Sequence, residues 1–192
     1  MMHVVPSELP EVLRIEPRVY RDARGSFAEL WRQEAYARHG MAEDFVQDNV
    51  AVSHRGVIRG LHFQHPRGQG KLILVMHGEV FDVAVDVRRG SPTFGCWTST
   101  ILSDRNHRQL YVPVGFAHGY CVTSESAVVA YKCTSEYAPH CERTIVWNDP
   151  QLGIPWPAAA PLLSPKDAAA PTLSDLSADE LPLFSPFACA SG

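Results

Sequence analysis

Short β-type segments follow one another through the middle of this chain, and that pattern constrains its fold more than any other feature. In Val80–Val87, the side chains of Phe81, Val83, Val85 and Val87 share one face, and Val80, Asp82, Ala84 and Asp86 share the other. A period of two is the signature of a strand. Lys71–Met76 is a second apolar run, and His77-Gly78 between the two reads as a hairpin turn. Trp97–Leu102, Arg108–Val112, Gly119–Thr123, Val128–Cys133 and Thr144–Trp147 extend the series. Turn-forming stretches separate them at Arg89-Gly90-Ser91-Pro92, Ser103–Asn106 and Ser124-Glu125-Ser126. Many short strands at such spacing predict a mainly β sandwich or barrel. Only two helices are expected. One covers Arg32–His39, with Glu34 and Arg38 paired and Gly40 as its stop. A short one lies near Ala178–Leu181, with Ser177 as its cap.

A chain of 192 residues with 45% hydrophobic and 20% charged residues suits one globular domain with a real core. That domain is expected over 1–175, with 176–192 as a C-terminal extension that is partly disordered or wraps the surface. From about residue 156, Pro157, Pro161 and the SPKDAAAPTL stretch favour neither a helix nor a central strand. A net charge of −4 gives no support for non-specific nucleic-acid binding, which needs basic surface. No apolar run approaches the ~20 residues of a membrane helix. The N-terminus has no basic region followed by an apolar run. The five cysteines (Cys96, Cys121, Cys133, Cys141 and Cys189) show no CxxC spacing. The expectation is a cytoplasmic protein with free thiols and no membrane partner.

Nine histidines raise the question of a metal. Pro113–His118 contains PxGxxH, which resembles the second half-motif of the cupin double-stranded barrel. The first half-motif would give HxH, but in Gly60–His65 it is Gln64 that stands where a second histidine should be. His65 lies three residues from His62, so in a strand it points the other way. Only His62 and His118 remain, and a metal site needs three or four convergent ligands. The barrel is expected, without a metal or other cofactor. Gln47, Asn49, Ala51 and Ser53 share one strand face, opposite Val46, Val50 and Val52. A small and polar face suits the wall of a polar-ligand cavity.

Nine segments stand in order. They are Arg24–Glu29, Phe45–Asn49, Ile58–Gln64, Gln69–Leu72, Gly78–Asp86, Pro113–Gly119, Ala130–Thr134, Trp147–Pro150 and Ser164–Asp167. Together, over about residues 13 to 175, they resemble the dTDP-4-dehydrorhamnose 3,5-epimerase family. The resemblance implies a cupin-like jelly roll, a homodimer with shared active sites, and no metal. It also implies epimerisation of dTDP-4-dehydro-6-deoxy-D-glucose at C3 and C5, giving dTDP-4-dehydro-L-rhamnose. Removing a proton beside the 4-keto group leaves an enolate. The chemistry therefore needs a base on one ring face, an acid on the other and a charge at the oxygen.

By this resemblance His62 is the base, since an imidazole of pKa ~6.5 accepts a proton at neutral pH. Asp167 would orient it and stabilise the imidazolium, with Asp82 as a second candidate partner. Tyr131 would be the acid, and Lys71 would stabilise the enolate. Arg24 and Arg59 suit a diphosphate, because a guanidinium forks onto phosphate oxygens. Arg59 and His62 have opposite strand parity, so both reach one site only if Gly60 makes a bulge. His118 would donate to phosphate or sugar. Phe27, Glu29, Gln47, Asn49, Glu142 and Lys166 match further ligand-contact positions. Tyr137 matches an aromatic that stacks on thymine. The Arg24–Glu29 segment would cross the dimer. Ser135-Glu136 departs from the pattern, where an aromatic often stands, and so does the loop His65–Gly68.

The nearest alternative is an epimerase acting at C3 only or C5 only in an unusual-deoxysugar pathway. Two further classes are a metal-dependent cupin enzyme and a non-catalytic sugar-nucleotide-binding module.

Overall fold

The computed structural model describes residues 2–185, so Cys189 and the end of the expected extension lie outside the described residues. In chain order the strands are β1 (His3–Pro6), β2 (Leu13–Glu16), β3 (Val19–Asp22) and β4 (Gly25–Ala28). The helix α1 (Gln33–Ala37) follows, then β5 (Gln47–His54), β6 (Ile58–Gln64), β7 (Lys71–His77) and β8 (Glu79–Asp86). After these come β9 (Trp97–Ser103), β10 (Gln109–Val112), β11 (Phe116–Val122), β12 (Ser126–Cys133), β13 (Glu142–Thr144) and the one-turn helix α2 (Pro165–Ala168). A six-stranded sheet runs β1-β2-β10-β7-β12-β5, and a five-stranded sheet runs β13-β6-β11-β8-β9. β3 and β4 form a hairpin of their own. The result is the mainly β, two-sheet fold that the alternating segments predict, and the cupin-like jelly roll that the family resemblance implies.

Apolar side chains from both sheets meet between them. Ile73 and Val129 of the larger sheet pack with Val80, Ala84, Phe116 and Val122 of the smaller one. The smaller sheet is buried on its outer face too. There Leu61, Val83, Val85 and Ala117 pack under Ile145, Leu152, Leu173 and Leu181. Leu173 and Leu181 of the proline-rich C-terminal stretch thus lie along that face.

On the inner face of β8, with Val80 and Ala84, Asp82 and Asp86 are fully buried. A buried carboxylate needs hydrogen bonds to offset lost hydration. Asp86 accepts them from Arg88, Ser91 and Thr93, at 2.7 Å from Arg88 Nη2. Arg88 reaches Glu11 at 3.0 Å and lies over the rings of Phe116 and Phe184.

Other expectations also change. β7 and β8 are not a hairpin, because β7 pairs with β10 and β12 while β8 pairs with β11 and β9. Gly78, at φ +79, carries the chain from one sheet to the other. Hydrophobic period marks strands and turns, but not which strands pair. The segment 144–147 is strand only at its start, in β13. Residues 178–181 form a turn rather than a helix, held by Ser177 bonding Glu180 at 2.9 Å. Glu34 and Arg38 form no ion pair among the described residues, and Arg32 bonds Glu29 at 3.1 Å instead. α2 was not expected in a proline-rich stretch. Pro165 opens it at a position where its missing N–H costs nothing, and Ser164 caps it.

Gly60 does what the parity argument requires. His62 pairs with His118 but Arg59 pairs with Tyr120, three residues against two, which is a bulge. Gly60 has φ +121, and a Cβ there would lie 2.5 Å from Gly119 Cα and 2.7 Å from His118 O. Gly60→Ala is therefore expected to destabilise the fold by about 2–4 kcal/mol, combining left-handed strain with a backbone clash. Urea unfolding measures it, and a loss under ~0.5 kcal/mol, the size of an ordinary surface substitution, would refute the strain argument.

Candidate active site

Between the sheets lies a cavity of about 790 Å³. The five-stranded sheet contributes Arg59, His62, His118 and Tyr120 to its wall, and the six-stranded sheet contributes Lys71 and Tyr131. The bulge at Gly60 is what lets Arg59 and His62 share this wall. The segment 162–167 closes one side and brings in Asp167.

His62 Nε2 and Asp167 Oδ1 are 2.6 Å apart. Asp167 sits in the first turn of α2, its own N–H donating to the Ser164 cap at 3.1 Å. Burial opposes ionisation of its carboxyl, but the hydrogen bond and charge of His62, with Ser164 and Lys166, hold it below the usual aspartate range. An ionised Asp167 accepts a hydrogen bond from Nε2–H and leaves the other ring nitrogen of His62 with a lone pair. The contribution of this carboxylate to stability is present above the ordinary aspartate pKa and is lost as pH falls through the lower folded value.

Tyr131 faces the cavity from β12. Burial pushes its phenol above the ordinary value, as do Cys133 and Glu142, against the pull of Arg59. It stays protonated at neutral pH and can donate. Burial lowers the Lys71 pKa, opposed by Cys133, Glu142 and Asp82. His118 Nε2 lies 2.9 Å from Asp82 Oδ1, both groups being buried. Asp82 therefore orients His118, which corrects its candidacy as the partner of His62. No group of three or more His, Cys, Asp and Glu side chains converges as a metal site among the described residues.

At the mouth, Glu142 accepts from Tyr137 Oη at 3.0 Å and from Lys166 Nζ at 2.7 Å. Burial raises the Glu142 pKa, but Lys166 and Tyr137 hold it below the ordinary range. Gln47 Oε1 accepts from the Tyr137 backbone N–H at 2.8 Å, and Gln47 Nε2 donates to Asn49 at 3.0 Å. These five residues form one connected polar rim.

An imidazole held by a carboxylate and a protonated phenol line one cleft with the half-buried amine of Lys71. That set of groups can move protons beside a carbonyl. The sequence profile of dTDP-4-dehydrorhamnose 3,5-epimerase matches residues 6–175. The chain belongs to the dTDP-4-dehydrorhamnose 3,5-epimerase family. The dTDP-4-dehydrorhamnose 3,5-epimerase of Pseudomonas aeruginosa is 53% identical over 169 residues, which is 87% of this chain and 93% of that one. The enzyme of the same name from Neisseria gonorrhoeae is 50% identical over 172 residues, 89% of this chain but 52% of that longer protein. A crystal structure of the Legionella pneumophila dTDP-6-deoxy-D-glucose-3,5-epimerase in complex with dTDP-4-keto-L-rhamnose is 48% identical. It superposes with a TM-score of 0.95, over 97% of this chain and all of that one. This chain is thus a sugar-nucleotide 3,5-epimerase, an isomerase acting on carbohydrate.

The structure of this epimerase gathers His62, Asp167, Lys71, Tyr131, Arg59 and His118 at one cavity, with Glu142, Lys166, Tyr137, Gln47 and Asn49 at or behind its mouth. It does not bring Arg24, Phe27 or Glu29 there. Arg24 sits on the β3–β4 hairpin, pairing with Asp22 at 2.6 Å, while Phe27 is exposed and Glu29 pairs with Arg32. The hairpin belongs to neither main sheet, and none of its residues, nor Glu29, is among those that line the cavity. Sequence reading missed the His118–Asp82 pair and Tyr120. Tyr120 lies two residues after His118 on one strand, so parity alone could have found it.

Proposed function

We propose that His62 is the base and Tyr131 the acid for inversion of C3 and C5 in dTDP-4-dehydro-6-deoxy-D-glucose. The observation that carries the reading is that the two rings line one cavity from opposite sheets. In a D-gluco ring the hydrogens on C3 and C5 lie on the same face. One base on that face and one acid on the other therefore serve both centres without turning the substrate. Asp167 stabilises the imidazolium formed at each abstraction, and Lys71 stabilises charge on the C4 oxygen. No cofactor is needed, because the ketone already acidifies both C–H bonds.

The test is the product formed in deuterated water. NMR should find deuterium at both C3 and C5. Label at one centre alone would turn the reading into a mono-epimerase.

Lys71 gives a second test. Burial lowers its pKa, so its ammonium is lost at a lower pH than the ordinary 10.5. Tyr131 shifts the other way and ionises later. The alkaline fall in kcat/KM is expected below the lysine reference of ~10.4 and should be absent in Lys71→Arg, whose guanidinium keeps its charge. An unchanged alkaline limb in that variant would remove Lys71 from the role.

The remaining assignments belong to the same reading. Arg59 binds the diphosphate, His118 donates to phosphate or sugar, and the rim of Gln47, Asn49, Tyr137, Glu142 and Lys166 holds the nucleoside. Residues 1–175 form the catalytic domain, and 176–192 follow it as a C-terminal extension. The protein works in the cytoplasm as a homodimer, and Arg24, Phe27 and Glu29 complete the partner's site. The outer face of β5 and β7 supports the dimer: Val50, Val52 and Met76 are 69%, 65% and 55% exposed there. Apolar side chains grouped at such exposure mark an interaction surface.

A further inference from the structure

On the wall facing Tyr131, β11 carries a group that the proton transfers do not use. Tyr120 and His118 share the inner face, their ring centroids 6.3 Å apart. Tyr120 lines the cavity and is 3% exposed, yet its hydroxyl has no hydrogen-bond partner. Leaving a buried hydroxyl unpaired costs stability, and native folds do so rarely. Phenylalanine would pack the same ring without that cost.

No neighbouring group bonds it in this structure. Ser53 is near enough to draw the phenol pKa down, but it is out of hydrogen-bonding geometry and accepts from Arg59 Nε at 3.0 Å. Asp82, the cross-strand partner of Tyr120, gives Oδ1 to His118 and leaves Oδ2 unpartnered. Burial pushes the Tyr120 phenol up to about 12, so at neutral pH it carries its proton and is a donor.

The position selects which part of a ligand can meet it. The nucleoside rim stands at the mouth, with Tyr137 half exposed. Tyr120 is packed into the core between the sheets. Whatever reaches it has passed the rim and lies beside His118 and Tyr131.

We propose that Tyr120 is a specificity residue whose phenol O–H donates a hydrogen bond to an oxygen on the sugar half of the bound sugar nucleotide. This rests on the reading of the cavity as the sugar site. It predicts an unusual pairing of effects, because the same hydroxyl is unsatisfied without ligand and satisfied with it.

The experiment compares wild type with Tyr120→Phe by calorimetry, using dTDP-glucose and dTDP as probes, together with thermal unfolding of the free protein. Neither probe has a ketone to react. A neutral hydrogen bond lost to the ligand should weaken dTDP-glucose roughly three- to tenfold while dTDP stays unchanged. Tm should hold or rise, since an unpaired buried hydroxyl has been removed. Equal weakening of both probes would move the contact to the nucleotide. No weakening of either, or a lowered Tm, would mean that the hydroxyl is satisfied within the protein, and the proposal fails. Because both probes report binding alone, these results stand apart from whether C3 and C5 exchange protons.

Discussion

Replacing His62 with alanine is expected to lower the rate of proton exchange at both C3 and C5 by roughly 10³- to 10⁴-fold, the upper range for a positioned general base. Both centres should fall together, because one imidazole serves one ring face. Affinity for dTDP should change less than about threefold, since the nucleoside rim and Arg59 are untouched and side chains at separate sites couple by no more than about 0.5 kcal/mol. The variant also leaves Asp167 buried without its 2.6 Å partner. Removing the partner of a buried charged group costs about 1–3 kcal/mol, so Tm should fall at neutral pH. That loss should shrink as pH drops below the aspartate range, where the carboxyl is protonated in both proteins. Exchange read by NMR in deuterated water, with Tm followed over pH, separates the chemical effect from the structural one. Exchange within tenfold of wild type at either carbon would remove His62 as the base for that carbon.

The strands were legible because each side chain's face is set by local period. The bulge was legible too, since Arg59 and His62 have conflicting parity and the intervening residue is glycine. Strand pairing was not legible. The turn at Gly78 looks like a hairpin locally, and only the packing of two sheets decides that β7 and β8 part company there. The burial of Asp82 and Asp86 was hidden for a related reason: they share the inner face of β8 with Val80 and Ala84, and the residues that pack over that face, such as Ile73 and Val129, come from the other sheet. Asp167 could be matched to His62 only through the family resemblance, because nothing in a spacing of 105 residues predicts a contact. The displacement of Arg24, Phe27 and Glu29 from the cavity was equally out of reach of periodicity. Tyr120 is different, since its parity with His118 was readable, and it was passed over because an aromatic in a strand is ordinarily core.

Tyr131→Phe should give a different lesion. The variant keeps the ring that packs against the inter-sheet core and loses only the donor. His62 can still remove a proton, and Lys71 can still hold the enolate. With no acid on the other face, the enolate takes its proton back from the imidazolium on the original face. Deuterium should therefore enter C3 or C5 with retained configuration, while inversion falls by roughly 10²- to 10⁴-fold. The two variants then differ in kind: His62→Ala stops exchange, and Tyr131→Phe uncouples exchange from inversion. Following label uptake and product stereochemistry in one NMR time course reads both. Uptake lost in parallel with inversion would mean that Tyr131 supports enolate formation rather than reprotonation. Inversion near the wild-type rate would mean that the proton on the second face comes from elsewhere. Asp82 holds His118 on the same sheet as His62. A replacement acid would therefore have to come from the Tyr131 wall, where Lys71 is the other cavity-lining proton donor, and Lys71→Arg in the Tyr131→Phe background would abolish the residual inversion.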